Sequence, residues 1–340
     1  MFRFTDDAVQ IDGKFMKRNG SVLVITLWVL TLLVLFALGL GHRAAISLRI
    51  TKNQRDRLIA ASVARSGVQY AVAILNNDFL DTETTFFDSL ASCGVNLKGR
   101  STEEVFTKIW NGEKSSFKIG YTVSPDISGY GCTDEERRIN INGLTGIDEN
   151  ILVTQLLKIK NVPDAEDLAS WVSAWVANNK QLVVPEELQS IFAYYYVTRN
   201  TAPEEARRKA RDAYVNIQDY ITVFGDNKLN INTVSFDVLR VLSRAIALVN
   251  GKNAGKADAL AGDILDARNQ RVFTNLDALS NAYTGSDVDE KEIFAVLKNY
   301  LCIASNFFRI ESLADVEGAK KSLTVIYDRK QKSIVYRYEI

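Results

Sequence analysis

Between Ser21 and Gly41 the chain reads SVLVITLWVLTLLVLFALGLG, with Gly20 just before it, His42-Arg43 just after it, and no charged side chain inside. At about 1.5 Å per helical residue the run reaches roughly 30 Å, the thickness of a bilayer's hydrocarbon core. A helix buried in a soluble core rarely stays this long without an interruption. The run therefore predicts one transmembrane helix, and everything after it reads as water-soluble.

The rest of the chain is ample for folding. With 340 residues, 47% hydrophobic and 24% charged, it can bury a sizeable core and is expected to make two folded units outside the membrane. The formal net charge is zero, which gives no case for nucleic acid as the main partner. The single histidine, His42, stands at the membrane boundary, so Ser-His-Asp and Cys-His catalysis are excluded from the soluble part, as is any multi-histidine metal site. Three cysteines, Cys93, Cys132 and Cys302, show no C-x-x-C spacing. In an oxidising compartment Cys93 and Cys132 could pair and leave Cys302 over; buried thiols are the equal alternative. The stretch Gly251-Lys252-Asn253-Ala254-Gly255-Lys256-Ala257 is one residue short of a phosphate loop and lacks its Ser or Thr, so it reads as a turn between helices. No pair of carboxylates stands out, and no enzymatic role is expected.

Apolar residues at mixed helical spacing, with no proline before Pro125, extend one helix from Ser21 to about Asn76. Residues 77–113 read as loop with a short helix near Glu103 to Trp110. Strands are predicted at Ser116–Val123 and Arg138–Asn142. From Ile147 to about Tyr300 the helical period dominates, in segments near 148–159, 164–178, 185–197, 203–215, 234–249, 255–268, 275–283 and 288–301. Pro163-Asp164, Pro185-Glu186-Glu187 and Pro203-Glu204-Glu205 mark helix starts, where proline fits and acids complement the helix dipole. Asp287, Asp289 and Glu290 do the same for the last helix. Asn232, Thr233 or Ser235 can cap the helix that follows Lys228-Leu229-Asn230-Ile231-Asn232-Thr233, a phrase that half-repeats Arg138-Ile139-Asn140-Ile141-Asn142. Strands return at Phe307–Ser312, Ser322–Tyr327 and Ile334–Ile340, the last two joined by the turn 328–331. The fold class is α+β: a long N-terminal transmembrane helix packed on an antiparallel sheet, with a large inserted all-α domain.

The residues ahead of the span carry a second message. Positions 1–20 hold acids as well as bases and end Lys17-Arg18-Asn19-Gly20, unlike a secretory signal with its shorter apolar core and small-x-small cleavage site. The arrangement resembles a type IV prepilin leader. That resemblance implies that a prepilin peptidase cuts after Gly20 and that Ser21 becomes an N-methylated N-terminus. Arg43, Arg49, Lys52, Arg55 and Arg57 outnumber the bases before the span, so the outward orientation rests on the resemblance rather than on charge. Major pilins carry glutamate at the fifth mature position; here it is Ile25, which suits a subunit at a filament's end.

Together with Asp134-Glu135-Glu136 before Ile139-Asn140-Ile141-Asn142, and Leu229-Asn230-Ile231-Asn232-Thr233 before a helix, the leader makes the chain resemble the general secretion pathway protein K family, the large minor pseudopilin of type II secretion systems. The resemblance implies a pilin-like body divided as leader 1–20, transmembrane helix 21–42, helix and first strands 43–142, inserted helical domain 143–303, and completing strands 304–340. It implies a single-pass protein of the bacterial inner membrane with its C-terminal domain in the periplasm, at the tip of a pseudopilus with two smaller minor pseudopilins, where it takes part in initiating the pseudopilus and in protein secretion across the outer membrane. Some members bind calcium through acids after a tryptophan-containing helix. Here Trp175 is followed by Val176, Ala177, Asn178 and Asn179, so no cofactor is expected. Glu186 and Glu187 remain as candidate calcium ligands, though they read first as a helix start. The alternative is a minor pilin of a type IV pilus or DNA-uptake system whose helical domain binds nucleic acid. Gly251 and Gly255 are too far apart for a phosphate-binding hairpin, and Arg207-Arg208-Lys209-Ala210-Arg211 has Glu204 and Glu205 within a turn.

Overall fold

The structure is a computed structural model that describes residues 19–80, 101–110, 115–124, 127–143, 147–179, 181–283 and 287–339. The chain divides into two units, residues 1–56 and 57–340. Helix α1 (Asn19–Leu80) supplies the described part of the first and continues into the second. Along Val22–Leu40 its apolar side chains are exposed, and the run's mean hydropathy reaches 2.8. Thr26 and Thr31 fit such a run because their hydroxyls bond back to the carbonyls of Leu23 and Leu27, at 2.9 and 2.8 Å.

In the second unit, α1 lies on a sheet. Beyond α2 (Thr102–Phe106) come β1 (Thr107–Trp110), β2 (Ser115–Ser124), β3 (Ile127–Tyr130) and β4 (Thr133–Asp134). The short helix expected to reach Trp110 stops at Phe106. Ser101 and Glu104 form a capping box that starts it, and the β-branched Thr107 and Ile109 continue as strand. A second correction concerns Arg138–Asn142. The strand there, β5 (Ile139–Asn140), has only two residues, because Asn140 Oδ1 accepts the Asn142 N–H and turns the chain.

The helices then follow as α3 (Glu149–Ile159), α4 (Ala165–Asn179), α5 (Glu187–Thr198) and α6 (Pro203–Ile217), the short strands β6 (Ile221–Thr222) and β7 (Leu229–Asn230), and α7 (Phe236–Val249), α8 (Ala254–Gln270), α9 (Leu276–Ala282) and α10 (Val288–Leu297). The chain closes with β8 (Leu301–Cys302), β9 (Phe307–Val316), β10 (Ala319–Asp328) and β11 (Ser333–Glu339). Pro203 occupies the first turn of α6, Asp287 caps α10, and Ser235, of the three caps offered by the sequence, is the one that caps α7.

The main sheet runs β1-β2-β9-β10-β11, all antiparallel, with β3 on β2 and β4 on β9. Strand β9 is the hinge of the topology. Its far half pairs with β2 (Phe117↔Ala314, Ile119↔Ser312), and its near half with β4 (Thr133↔Arg309, Asp134↔Phe308). The sheet is thus completed across everything between Asp134 and Phe308. Period-2 alternation buries Phe308, Ile310, Ser312, Ala314 and Val316, and Phe308, Ile310 and Ala314 join Phe117, Ile119, Val325 and Tyr327 in one core with Ala64, Val68, Ala71 and Leu75 of α1. Gly67 sets the approach. A Cβ there would stand inside contact distance of Ser312 Oγ and 3.0 Å from the Phe117 ring. The helices form a separate, larger core around Phe192, Leu156, Leu242 and Leu260, to which Ile139, Ile141, Ile221, Leu229, Ile231 and Leu301 also contribute.

Candidate functional site

The two Asn phrases and the acidic triplet meet where the helical block joins the sheet. Strand β5 pairs in parallel with β6 (Ile139↔Ile221), and β7 pairs in parallel with β8 (Leu229↔Leu301). The phrases behave alike. Asn140 Oδ1 accepts from Asn142 N and Asn230 Oδ1 from Asn232 N, both at 3.0 Å. Asn142 then clamps Leu182 through both backbone groups (2.7 and 2.9 Å), and Asn232 clamps Phe273 in the same way (2.9 and 2.9 Å). Each clamp spans 40 or 41 residues. Each half also closes on a short 3-10 turn ending in tyrosine, Tyr220 or Tyr300, before its returning strand. The helical block is therefore two versions of one plan, and α3 of the first packs against α7 of the second. Lys160 Nζ joins the halves, donating to Asp237 Oδ2 at 2.9 Å and Tyr220 Oη at 2.8 Å.

Asp134, Glu135 and Glu136 are buried, at 3%, 0% and 2% exposure. Three acidic side chains are tolerated there because each accepts at least two hydrogen bonds. Asp134 Oδ2 accepts from Asn230 Nδ2 (3.0 Å), Thr233 Oγ1 (2.5 Å) and Ser305 Oγ (2.7 Å), and Oδ1 from Glu136 N (2.8 Å). Burial raises its pKa, while these four donors oppose the rise. Glu135 accepts from Arg309 Nε (2.6 Å), Arg138 (2.9 Å) and Thr222 Oγ1 (2.6 Å). Burial alone would raise it, but the two guanidinium groups hold its carboxyl below the usual range. Glu136 accepts from the backbone N–H groups of Asp226 (3.2 Å) and Asn306 (3.0 Å). Burial first, and the Asp134 charge next, push it up to about 8 against those two donors.

Chemically the triplet is a lock. Its oxygens bind the start of the insertion (Glu136 N), its middle (Thr222, Asp226, Asn230, Thr233) and its end (Ser305, Asn306), so they hold three chain segments together rather than presenting a base to a substrate. The sequence marked the acids and asparagines without showing that they bond one another, because Asn230 lies 96 residues from Asp134 and Asn306 lies 170 from Glu136.

The other singled-out residues lie elsewhere. Gly20 and Ser21 are within the first residues of α1, and Ile25 is exposed on it; the leader before Asn19 and Cys93 fall outside the described residues. Cys132 is buried behind the sheet. Glu187 opens α5 and accepts from Val183 N and Val184 N at 3.1 and 3.3 Å, and Glu186 precedes it. Among the described residues no group of three His, Cys, Asp or Glu side chains converges to hold a metal ion. Arg207 and Lys209 pair with Glu204 and Glu205 on an exposed face of α6.

No protein-family model matches the chain, and no curated protein matches its sequence. Its fold is shared with a chain in the crystal structure of the GspK-GspI-GspJ complex from the enterotoxigenic Escherichia coli type 2 secretion system. The TM-score is 0.55 at 14% identity, over 85% of this chain and 99% of that one. The fold is thus the pilin-like α+β fold, with its long apolar N-terminal helix a candidate membrane span.

Proposed function

We propose that this chain is a minor pseudopilin of the K type: a non-enzymatic subunit that caps a type II secretion pseudopilus, helps initiate it, and assembles with smaller minor pseudopilins. The observation that carries the reading is the shared fold, insertion included, over nearly the whole length of a chain from a complex of such subunits. Three features of this sequence agree with it. A Gly20-Ser21 junction opens the span, the fifth mature position is Ile25, and among the described residues one helix is long and apolar enough to serve as anchor. In this reading the prepilin peptidase cuts after Gly20, Ser21 is N-methylated, the span sits in the inner membrane, and residues beyond it lie in the periplasm. The isoleucine leaves no buried carboxylate to seek the terminal amine of a subunit ahead, so nothing in the span requires one. Calcium is not part of the proposal.

N-terminal sequencing of the protein extracted from membranes, with and without an active prepilin peptidase, tests the reading. A mature start at methylated Ser21 that depends on the peptidase is expected. Any other start refutes the processing, and failure to co-purify with small minor pseudopilins refutes the assembly. On α6, Arg207 and Lys209 pair with Glu204 and Glu205, which weakens the case for that face as a nucleic-acid site.

A further inference from the structure

Beside the lock, at the Arg138 and Arg309 that donate to Glu135, the sheet and the two halves of the helical block form a cleft of about 310 Å³. Its walls carry Arg137, Arg138 and Arg309, with Tyr121, Tyr220 and Ser235 among its polar groups. The three arginines are differently occupied. Arg138 and Arg309 each give one N–H to Glu135, and Arg138 Nε is buried with no acceptor. Arg137 makes no hydrogen bond or ion pair among the described residues, although it is half-buried and its charge is opposed first by desolvation and then by Arg138. A guanidinium offers five donors in a fork that matches a carboxylate, and the fork of Arg137 faces the cleft without an acceptor among the described residues.

We infer that this cleft binds a carboxylate group, held by Arg137 and completed by Arg138. The anion is singly charged because Asp219 and Glu311 also line the cleft, and with Glu135 beneath they match the three arginines in formal charge, which leaves the unpartnered fork of Arg137 rather than a net positive field to hold the ligand. A doubly charged phosphate would meet that acidic rim. The volume admits a small carboxylic acid or the acidic side chain of a peptide, and the shared chemistry is one carboxylate. The site is independent of the proposed secretion role.

Thermal unfolding of the full chain in detergent tests it, with acetate replacing chloride at constant ionic strength. The expected result is a melting temperature that rises with acetate in the wild type and stays flat in Arg137→Gln, a change that removes no hydrogen bond from the folded protein. An equal response in both overturns the proposal, as does a larger rise with inorganic phosphate than with acetate. Should Arg137→Gln not fold, Arg137→Lys keeps the charge but not the fork; a response at least fivefold weaker is expected, and a wild-type response overturns the assignment. Two short amidated peptides, one with glutamate and one with glutamine, separate the sources. A rise with the glutamate peptide at concentrations below those needed for acetate assigns the cleft to a peptide side chain, and the reverse order assigns it to a free acid.

Discussion

Asp134→Ala should undo the attachment of the helical block to the sheet. The carboxylate has four donors, but they do not all lose equally. Thr233 Oγ1 can turn to the Asn230 carbonyl 3.4 Å away, and Asn230 Nδ2 keeps Ser305 Oγ at 2.9 Å. Glu136 N is left buried without an acceptor, at about 1–3 kcal/mol, and the Ser305 hydroxyl loses its bond to the carboxylate, worth about 1 kcal/mol or more. Removing a charge whose burial is itself unfavourable returns part of that cost. The expected loss is about 2–4 kcal/mol. Because two separate cores need not unfold together, a single global midpoint would blur the effect. Hydrogen exchange of the detergent-solubilised protein reads it locally. The amides of Ile231, bonded to Cys302 O, and Ile141, bonded to Thr222 O, should exchange faster by one to three orders of magnitude. The Ser305→Ala variant and the double variant complete a cycle with an expected coupling of about 1–3 kcal/mol. Unchanged exchange at both amides, or additivity within about 0.5 kcal/mol, would refute the claim that this carboxylate joins the two bodies.

Other outcomes can be checked on the same material. Gly67→Ala should cost about 1–3 kcal/mol by overpacking against Ser312 and Phe117. Because Ser312 Oγ is buried without a partner, Ser312→Ala should be neutral or stabilising and should rescue Gly67→Ala in chemical denaturation. Glu136 keeps its proton in the folded state up to about pH 8, whereas unfolded it loses it near 4.5. Its contribution to stability is therefore intact below pH 4.5 and declines as pH rises towards 8, by at most about 1.4 kcal/mol per unit. The slope of stability against pH over 5.5–8 should be less negative in Glu136→Gln, and an unchanged slope would contradict the shift. Asn232→Ala removes both bonds that clamp Phe273, so a loss of about 2–4 kcal/mol is expected in denaturant melts, against near-neutrality for the exposed Asn178→Ala.

What the sequence disclosed follows from how local each signal is. Helix starts at Pro203 and Asp287 were readable because their chemistry is confined to one turn, and β9 to β11 because their runs of β-branched and aromatic residues favour strands, with period-2 alternation in β9. The strand at Ile139 was misread because two residues have no period. Its alternating neighbours reflect an Asn-stabilised turn entering the helical core, not an extension of the main sheet. The acidic triplet was visible as a motif but not as a lock, since burial of three adjacent carboxylates becomes intelligible only with donors from Thr222, Asn230 and Ser305 in place. The duplication was half legible. The Asn phrases look alike, but the matched clamps on Leu182 and Phe273 use backbone groups, which carry no sequence signature.

The pairing of Asp134 with Phe308 has a consequence for how such a chain tolerates change. The polypeptide leaves the sheet and re-enters it at two positions directly opposite each other, the geometry of an ordinary hairpin. Whatever is spliced between them meets the same boundary condition, so a short turn and a folded block of helices are interchangeable as far as the sheet's register is concerned. The entropy of closing a long excursion grows only slowly with its length, and a block that brings its own ends together removes most of even that cost. Size at this point of the fold is thus nearly free to vary, provided the newcomer keeps its entrance and exit side by side.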